Sequence, residues 1–510
     1  MTATELSPQD LLSKLSKYPD NNELLDEFIE RFSDPSVDDE LAEAIYSTTG
    51  IFRPNWVNCI GEQKCRPKHI YYPTSIRKLA DAIKKAKKEN LSVLDLDTSV
   101  LRNPLVASTL FSVESGITIK RLNNELDKRT KALINMGAYD GQTLAGAIST
   151  GTHGTGITLG PMASSVRSLV LVSEFGTTYQ IEPSNGITDP EKFQKLQPGV
   201  TLVQDDDWFQ SNVIAMGCMG LIYSYTLEVE QAYNLTEKRT LETWEALKDL
   251  GVIPQLLRSW RHFEIDINPY AVDNVHSCIK IVREKTDHSR RGWRGIPSFI
   301  AGLLASSRLA EMFLVAAINK WPTSCPGIIN RALKVLVDDN YIDKSYKVMD
   351  LGAVDNVKAL ALELSLDATD ATVDASALIK QVDKILDVFA KAAAEKKWYM
   401  AGPVALRFVA ASDAYLAPQQ GRTTCMVELD LLVGINNGDE LLKEVRNVMC
   451  TPGSGVRVHW GLDLDTVTGK DMHDMFPMFD RWLGVYQKLN STGIFSSPFT
   501  DRLGISVKKS

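Results

Sequence analysis

The strongest restriction on the architecture of this chain comes from a glycine-rich segment, GAYDGQTLAGAISTGTHGTG at 137–156. Five glycines lie between Gly141 and Gly156, interleaved with hydroxyl side chains and one histidine. Glycine lets a backbone approach a ligand closely, and successive exposed N–H groups form a nest for an anion such as a pyrophosphate. Neither GK[ST] nor GxGxxG is present, so phosphate-loop and Rossmann readings fail. An anion-binding turn and a structural turn packed on another strand both remain open.

The length and charge of the chain restrict its class. A chain of 510 residues exceeds one hydrophobic core, so two or three domains are expected. The net charge of −8 gives no basic stripe, so no nucleic-acid partner is expected. Seven cysteines without CxxC spacing predict neither a disulfide framework nor a zinc site, and no metal is expected. Sparse cysteines favour a reducing compartment.

The apolar stretches bear on localisation. The N-terminal residues MTATELSPQDLLSKLSKYPD contain no apolar run of the secretory kind, so we do not expect secretion. The most apolar stretch, 296–319, is interrupted by Arg308 and Glu311, and spanning a membrane is not expected. It is interpreted as a buried or partner-facing helix or, alternatively, as a membrane-surface helix, with peripheral contact through 296–337. We therefore expect a cytoplasmic protein or one associated with an intracellular membrane.

The order of predicted elements indicates an α+β fold. Residues 168–183 are interpreted as a hairpin about Gly176, and 214–231 as a glycine-punctuated turn feeding a strand. Further along, helical material is expected up to about residue 345, and a loop-rich tail after residue 450. Strands are predicted at 94–101, 262–271, 275–284, 403–410 and 423–434, and amphipathic helices at 377–397 and 439–449. This order predicts an antiparallel sheet covered by helices on one face.

Eight motifs in the same order make the chain resemble the vanillyl-alcohol oxidase (PCMH-type) superfamily of FAD-linked oxidases, and more closely its sugar-lactone oxidase branch. The motifs are NW…CRP…YYPTS (55–75), SVESGITIKRLNNEL (112–126), GQTLAGAISTGTHGTG (141–156), MGCMGLI (216–222), HFEIDINPY (262–270), RFVAASDAYLAP (407–418), VHWG (458–461) and GIFSSPFTDRLG (493–504). The resemblance implies a two-lobed FAD-binding domain at 49–232, a cap or substrate domain at 233–450, and a segment at 451–510 that returns to the FAD domain. Residues 1–48 are then a helical N-terminal extension.

The resemblance also implies the site residues. Gly146, Ser149, Thr150, Thr152, His153 and Gly154 would line the flavin and its pyrophosphate. Gly217, Gly220 and Ile222 would offer backbone to the ribose and adenine end. His459 and Trp460 would lie on the substrate side, and Arg407 and His459 are the implied catalytic residues. Taken alone, a histidine such as His153 is more often a hydrogen-bonded structural residue, and its cofactor role comes only from its place in the motif.

The chain departs from the family pattern at two places. KKENLSV (87–93) continues directly into LDLDTSVL (94–101), so the GSGHS-like flavin loop is absent and any bound FAD is expected to be non-covalent. The Glu-x-Arg pattern is Ala405-Leu406-Arg407, and Leu462 stands where a lysine is common. Glu428 on the next predicted strand is either a replacement carboxylate and substrate residue or a solvated or salt-bridged strand residue. Because Ala405 replaces the glutamate and Leu462 the lysine, the sequence predicts a more apolar pocket.

Three functions follow. The first is an FAD-dependent oxidoreductase that oxidises an alcohol or lactone carbon of a small molecule, with O2 as acceptor. The second is a degenerate relative retained for binding or assembly, and the third is a non-redox cyclase that uses the same cavity. A skipped exon at the missing loop is a further explanation of the gap. The sequence does not define an oligomeric state.

Overall fold

The computed structural model describes residues 56–57, 64–65, 93–94, 96–292, 315–350, 359–462 and 465–507. The chain divides into two compact units, Met1–Leu91 and Ser92–Ser510. In the first unit, strand β1 (Trp56–Val57) pairs antiparallel with β2 (Lys64–Cys65). The predicted extension at 1–48 and residues 296–314 of the apolar stretch lie outside the described residues.

The second unit carries the other strands and the helices among the described residues. The strands are β3 (Val93–Leu94), β4 (Leu110–Glu114), β5 (Lys131–Ala132), β6 (Val166–Val172), β7 (Thr178–Glu182), β8 (Thr201–Gln204), β9 (Leu221–Glu228), β10 (Glu230–Gln231), β11 (Asn234–Thr243), β12 (His262–Ile267), β13 (Ser277–Thr286), β14 (Asp338–Lys344), β15 (Ala359–Asp367), β16 (Val404–Val409), β17 (Thr424–Leu432) and β18 (Arg457–Val458). The α-helices are α1 (Ile119–Asp127), α2 (Leu144–Ser149), α3 (Pro190–Leu196), α4 (Asp206–Val213), α5 (Trp244–Leu247), α6 (Val252–Ser259), α7 (Cys325–Val335), α8 (Ser345–Met349), α9 (Ser376–Lys396), α10 (Gly438–Met449), α11 (Met472–Met475), α12 (Phe479–Leu489) and α13 (Pro498–Arg502).

A six-stranded sheet of order β3-β4-β9-β6-β7-β8 forms the first half of this unit. Its strands pair antiparallel except β7 and β8, which are parallel. The hairpin predicted about Gly176 is present, because β6 pairs with β7 and Gly176 has a φ of +77°. The strand predicted at 94–101 is wrong for most of its length. Only Val93–Leu94 pair with β4, and Thr98–Val100 form a 3-10 turn capped by Asp97.

An eight-stranded antiparallel sheet of order β14-β11-β13-β12-β16-β17-β15-β18 forms the second half. Residues directly opposite each other in such a sheet point to the same face. One face is apolar: Ile265, Leu406, Val427 and Leu364 form a continuous row across four strands. Helices α5, α6, α7, α9 and α10 contact strands of this sheet. The α+β fold with helices on one face of an antiparallel sheet is therefore confirmed.

Two predicted segments differ from the structure. Asp338–Lys344 form strand β14 at the edge of the large sheet, where helical material was expected, because pairing with β11 overrides local propensity. The tail after residue 450 is also less irregular than predicted. Its helix α12 packs on α4, with the Trp482 indole N–H donating to the Ile214 carbonyl at 2.9 Å.

Within the part of the chain that the structure describes, no helix has the length and apolar character needed to cross a bilayer. Residues 315–320 at the end of the apolar stretch are helical.

Candidate functional site

The face of the eight-stranded sheet opposite the helices is lined by charged side chains. One row crosses β12, β16, β17 and β15 as Asp266, Ala405, Glu428 and Glu363. The neighbouring row on the same face includes Glu264 opposite Arg407. We call this surface the polar face. Strands whose polar residues alternate with buried leucines and valines place every second side chain here, because the side-chain period of a strand is two.

A chain of ion pairs runs along the polar face. Arg407 Nε lies 2.9 Å from Glu264 Oε1, and its Nη1 contacts Glu428 Oε2. Arg283 joins Glu264 at 2.5 Å and Glu237 at 2.7 Å. Arg407 is therefore held between two carboxylates on neighbouring strands. Glu428 is salt-bridged rather than solvated.

These contacts set the protonation of the face. Burial raises the pKa of the Glu264 carboxyl, but the Arg283 and Arg407 charges outweigh this and lower it to about 2. Burial and the Glu264 charge raise the pKa of Asp266 to about 6. Burial also raises the pKa of Glu428, and that of Asp430 well above its usual range. The expectation of a more apolar pocket is wrong for this face, because Ala405 is flanked by Asp266 and Glu428.

The end of the glycine-rich segment docks onto the large sheet. The Gly156 N–H donates to the Phe408 carbonyl at 2.5 Å, and the Thr155 hydroxyl donates to the Phe263 carbonyl at 2.7 Å. The His262 Nδ1 lies 2.7 Å from the Thr155 carbonyl. These bonds tie the segment to β12 and β16 and bring His153 to the polar face.

The glycines implied as cofactor contacts fall into two groups. A Cβ on Gly154 would lie 2.1 Å from Asn135 Oδ1, and one on Gly220 would lie 2.8 Å from the Val172 carbonyl. A larger residue would overlap neighbouring protein atoms at both positions, so packing explains the two glycines. Gly146 and Gly217 are exposed, and Gly217 has a φ of +69° with nothing within 4 Å of its Cβ position.

The remaining implied cofactor residues divide in the same way. Thr150 is half-buried, and its hydroxyl donates to the Gly146 carbonyl at 2.9 Å. Ser149 and Thr152 are buried. The Ile222 carbonyl accepts from the Ser115 hydroxyl at 2.6 Å. The Gly146 N–H donates to the Thr143 hydroxyl and its carbonyl accepts from Thr150, so both backbone groups of Gly146 already have partners, and the cofactor roles of these residues stay predictions.

His153 and His459 come together on either side of a carboxylate that sequence reasoning did not single out. His153 Nε2 lies 3.0 Å from Glu363 Oε1, and His459 Nδ1 lies 3.8 Å from Glu363 Oε2. The imidazole rings meet edge to face, with centroids 5.6 Å apart. A signal for Glu363 was present in the sequence, since ALALELSLD (359–367) alternates as a strand with a glutamate in the middle of its leucines.

The pKa values of this cluster diverge. Burial alone would lower the pKa of His153, but the Glu363 charge raises it above its ordinary value. Burial lowers the pKa of His459 to about 4, against the pull of Glu363. Burial opposes ionisation of Glu363, but the His153 charge lowers its pKa overall.

Trp460 and Leu462 follow His459 and are packed against other protein residues. Trp460 is buried, its indole N–H donates to the Leu416 carbonyl at 2.7 Å, and its ring stacks on Phe476 with centroids 4.9 Å apart. These contacts are those of a core residue, and its substrate role stays a prediction. Leu462 is half-buried at the end of the 3-10 turn Trp460–Leu462.

Comparisons with known proteins agree with this architecture. Residues 101–182 match the family described as FAD binding domain, and residues 225–503, more than half of the chain, match the D-arabinono-1,4-lactone oxidase family. The fold and the site therefore define an FAD-dependent oxidoreductase. The chain belongs to the D-arabinono-1,4-lactone oxidase family. The predicted superfamily, enzyme class and FAD cofactor are confirmed.

The relatives are distant but span most of the chain. An L-gulono-1,4-lactone dehydrogenase of Mycobacterium tuberculosis is 22% identical over 473 residues, covering 88% of this chain and 99% of the relative. An L-gulonolactone oxidase of Bos taurus is 22% identical, covering 90% and 99%. Among solved structures, a cholesterol oxidase of Brevibacterium sterolicum aligns with a TM-score of 0.65 at 13% identity, covering 89% of this chain and 97% of that one. The last likeness concerns the fold alone.

Proposed function

We propose that this FAD-dependent oxidoreductase oxidises an alcohol or lactone carbon of a neutral, hydroxyl-bearing small molecule, with O2 as the electron acceptor. The observation that carries the proposal is the docking of the glycine-rich segment against the polar face through Gly156 and Thr155. When bound, FAD supplies the hydride-accepting chemistry at its N5. The protein supplies the positioning and the electrostatics.

The charge balance of the polar face supports a neutral substrate. Arg407 already contacts Glu264 and Glu428, so its charge is offset by two carboxylates. An anionic substrate would have to displace one of these buried pairs, which costs several kcal/mol. Hydroxyl groups of a polyol or lactone can instead donate to the carboxylates and accept from Arg407. His459 and Arg407 are the proposed orienting residues on the substrate side.

Glu428 takes the position of the missing Glu-x-Arg carboxylate in this proposal. It lies directly opposite Ala405 on the neighbouring strand and contacts Arg407, so the carboxylate and the guanidinium remain adjacent. We expect Glu428→Gln to lower kcat at least about tenfold with a smaller change in KM, since a charge-assisted contact is worth about 1.5–3 kcal/mol. Ala405→Glu in the Glu428→Gln background should restore a large part of the activity. No rescue in a folded, flavin-containing double variant would contradict the assignment.

The direct test of the function is spectroscopic and kinetic. The purified chain should show a flavin spectrum, or take up added FAD, and should produce peroxide with members of a panel of lactones, polyols and apolar alcohols. A colourless protein that takes up no FAD would refute the proposal. Flavin binding without turnover on any compound would favour the second candidate, a binding or assembly protein, which the absent GSGHS-like loop supports.

We also propose an intracellular, reducing location for this protein. The support is chemical, because Cys218, Cys278, Cys325, Cys425 and Cys450 are free thiols. Subcellular fractionation with antibodies against the native chain tests this. Recovery mainly from the culture medium would contradict it.

A further inference from the structure

Three metal-ligand side chains from separate parts of the sequence converge at the end of the polar face. His153 follows helix α2 in the glycine-rich segment, Glu363 lies in β15, and His459 follows β18. One ligand atom from each lies within 4.8 Å of the other two. The side chains of His153 and Glu363 are 3% exposed, and that of His459 is 7% exposed. We call these residues the His2Glu cluster.

The sheet register fixes two of the three ligands. The His459 N–H donates to the Glu363 carbonyl at 2.9 Å, which continues the pairing of β15 with β18 by one residue. The ring of His459 is confined on two sides by glycines. A Cβ on Gly461 would lie 3.2 Å from its Cε1, and one on Gly151 would lie 4.0 Å from its Nε2. The ring is thus positioned by backbone rather than by a flexible loop.

When the His153 imidazole is neutral, its contact with the Glu363 carboxylate contains no cation. His153 Nδ1 lies 2.8 Å from the Gly154 carbonyl, which only accepts, so Nδ1 carries the proton. In the neutral ring, Nε2 then directs a lone pair toward Glu363 Oε1 at 3.0 Å. Two acceptors in contact need a shared proton or a metal ion. A ring nitrogen held by a backbone carbonyl is also the usual way in which a metal-binding histidine is oriented.

His459 supplies an independent observation. Among the residues that the structure describes, neither ring nitrogen of His459 has a well-aligned hydrogen-bond partner, although the side chain is buried and the ring interacts with the backbone of Gly151. Glu363 Oε1 is likewise without an aligned hydrogen-bond donor. Leaving such buried polar groups unsatisfied is unfavourable. A proton shared by His153 and Glu363 would satisfy that pair alone, whereas a metal ion would also bind Nδ1 of His459.

We propose that the His2Glu cluster binds one divalent transition-metal ion of the Zn²⁺ class. His153 Nε2, a Glu363 carboxylate oxygen and His459 Nδ1 are the protein ligands, and a fourth position stays open. Zinc bonds to these atoms are about 2.0–2.2 Å long, so ligand atoms in a tetrahedral site lie about 3.3 Å apart. In the structure His153 Nε2 lies 3.0 Å from Glu363 Oε1, His459 Nδ1 lies 3.8 Å from Glu363 Oε2, and one ligand atom of each residue lies within 4.8 Å of the other two. Two imidazoles and one carboxylate also suit Co²⁺, which is a spectroscopic probe of the same site.

The metal site does not depend on the proposed oxidation reaction. The oxidation proposal rests on FAD and Arg407 and does not require a free His459, because with an ion bound His459 is a metal ligand and Arg407 alone orients the substrate. Metal content and the flavin spectrum are separate measurements on the same sample. Either proposal can fail while the other stands.

The test compares the full chain with ligand and control variants. Cells are grown with added Zn²⁺ or Co²⁺, the purified protein is dialysed against a weak chelator, and metal per chain is measured by mass spectrometry. The wild type should retain close to one equivalent, and the Co²⁺ form should absorb in the visible range as a low-symmetry site does. Glu363→Gln and His459→Gln should weaken binding at least about tenfold to a hundredfold.

A matched control is the His276–Glu245 pair. His276 Nδ1 lies 2.9 Å from Glu245 Oε1, and the pair lies outside the His2Glu cluster, so His276→Gln should leave the metal content unchanged. Glu363→Asp keeps a carboxylate and should retain the ion with reduced affinity. This variant separates metal loss from misfolding, which circular dichroism monitors. A folded wild type without bound ion, or equal metal in Glu363→Gln and the wild type, would overturn the proposal and leave a proton shared by His153 and Glu363.

Discussion

Ala405 and Glu428 lie directly opposite each other on β16 and β17, and Glu428 contacts the guanidinium of Arg407 two residues along from Ala405. A carboxylate therefore lies directly across from Ala405 on the polar face, next to Arg407. A cross-strand neighbour can make this contact because opposing side chains in an antiparallel pair point the same way. The polar face keeps a carboxylate–guanidinium pair although the local motif is broken.

Arg407 stabilises the polar face, and Arg407→Met should lower the free energy of unfolding by about 3–5 kcal/mol. The reason is that Glu264 and Glu428 would both lose their shared cation while remaining largely buried. Urea denaturation followed by fluorescence measures the change. Arg129→Met is the matched control, because the ion pair of Arg129 with Glu125 is on the surface and should contribute little. Equal midpoints for the two variants would show that the network is not stabilising.

Asp266 should make the protein less stable as the pH rises. Its pKa is raised to about 6 by burial and by the Glu264 charge, so between its ordinary pKa and that value the folded state holds a proton that the unfolded state has released. Stability contributed by the protonated form is present at low pH and declines as the pH rises through this window. Asp266→Asn should match the wild type near pH 4 and exceed it by about 1–3 kcal/mol at pH 8.

Denaturation midpoints across this pH range test the Asp266 prediction. Asp387→Asn on the exposed side of α9 is the control, because that carboxyl is in solvent. A wild-type curve that keeps the same pH slope in Asp266→Asn would contradict the proposed origin of the slope.

Gly146 should be needed for FAD binding and not for folding. It is exposed in α2, where alanine favours the helix by about 1 kcal/mol over glycine. Apart from the backbone of its own helix, the described atom nearest its Cβ position is the N-cap hydroxyl of Thr143, at 3.1 Å. Gly146→Ala should therefore keep or raise the thermal midpoint while weakening FAD at least about tenfold in a flavin fluorescence titration. Gly484→Ala in α12, with nothing within 4 Å of the Cβ position, is the control. Unchanged FAD affinity in Gly146→Ala would place the cofactor elsewhere.

The buried thiols should resist alkylation in the native protein. Burial raises the pKa of Cys218 and of Cys325 to about 12, which lowers the thiolate fraction about a thousandfold at a given pH. The pKa values of Cys278 and Cys425 are also raised by burial. Iodoacetamide treatment at pH 8 followed by peptide mapping should leave these four unmodified until denaturant is added. Rapid labelling of any of them in folded protein would show that its surroundings open in solution.

The sequence determined the elements whose periodicity is continuous. Residues 377–397 keep an amphipathic period and form α9, and β12, β13, β16 and β17 alternate as predicted. The order of motifs also predicted the superfamily and the FAD cofactor. The domain boundaries at residues 232 and 450 and the roles of the individual site residues stay predictions.

The identity of the site depended on long-range register, which no local pattern encodes. Glu363 reads as one carboxylate in a leucine-rich strand, and only the pairing of β15 with β17 and β18 places it between His153 and His459. The pairing of β16 with β17 likewise turned Glu428 from an isolated strand residue into the partner of Arg407. Local residue types thus fixed the strands, and the hydrogen-bonded register of the folded sheet decided which of their charges meet, because a shift of one residue would turn each side chain to the other face.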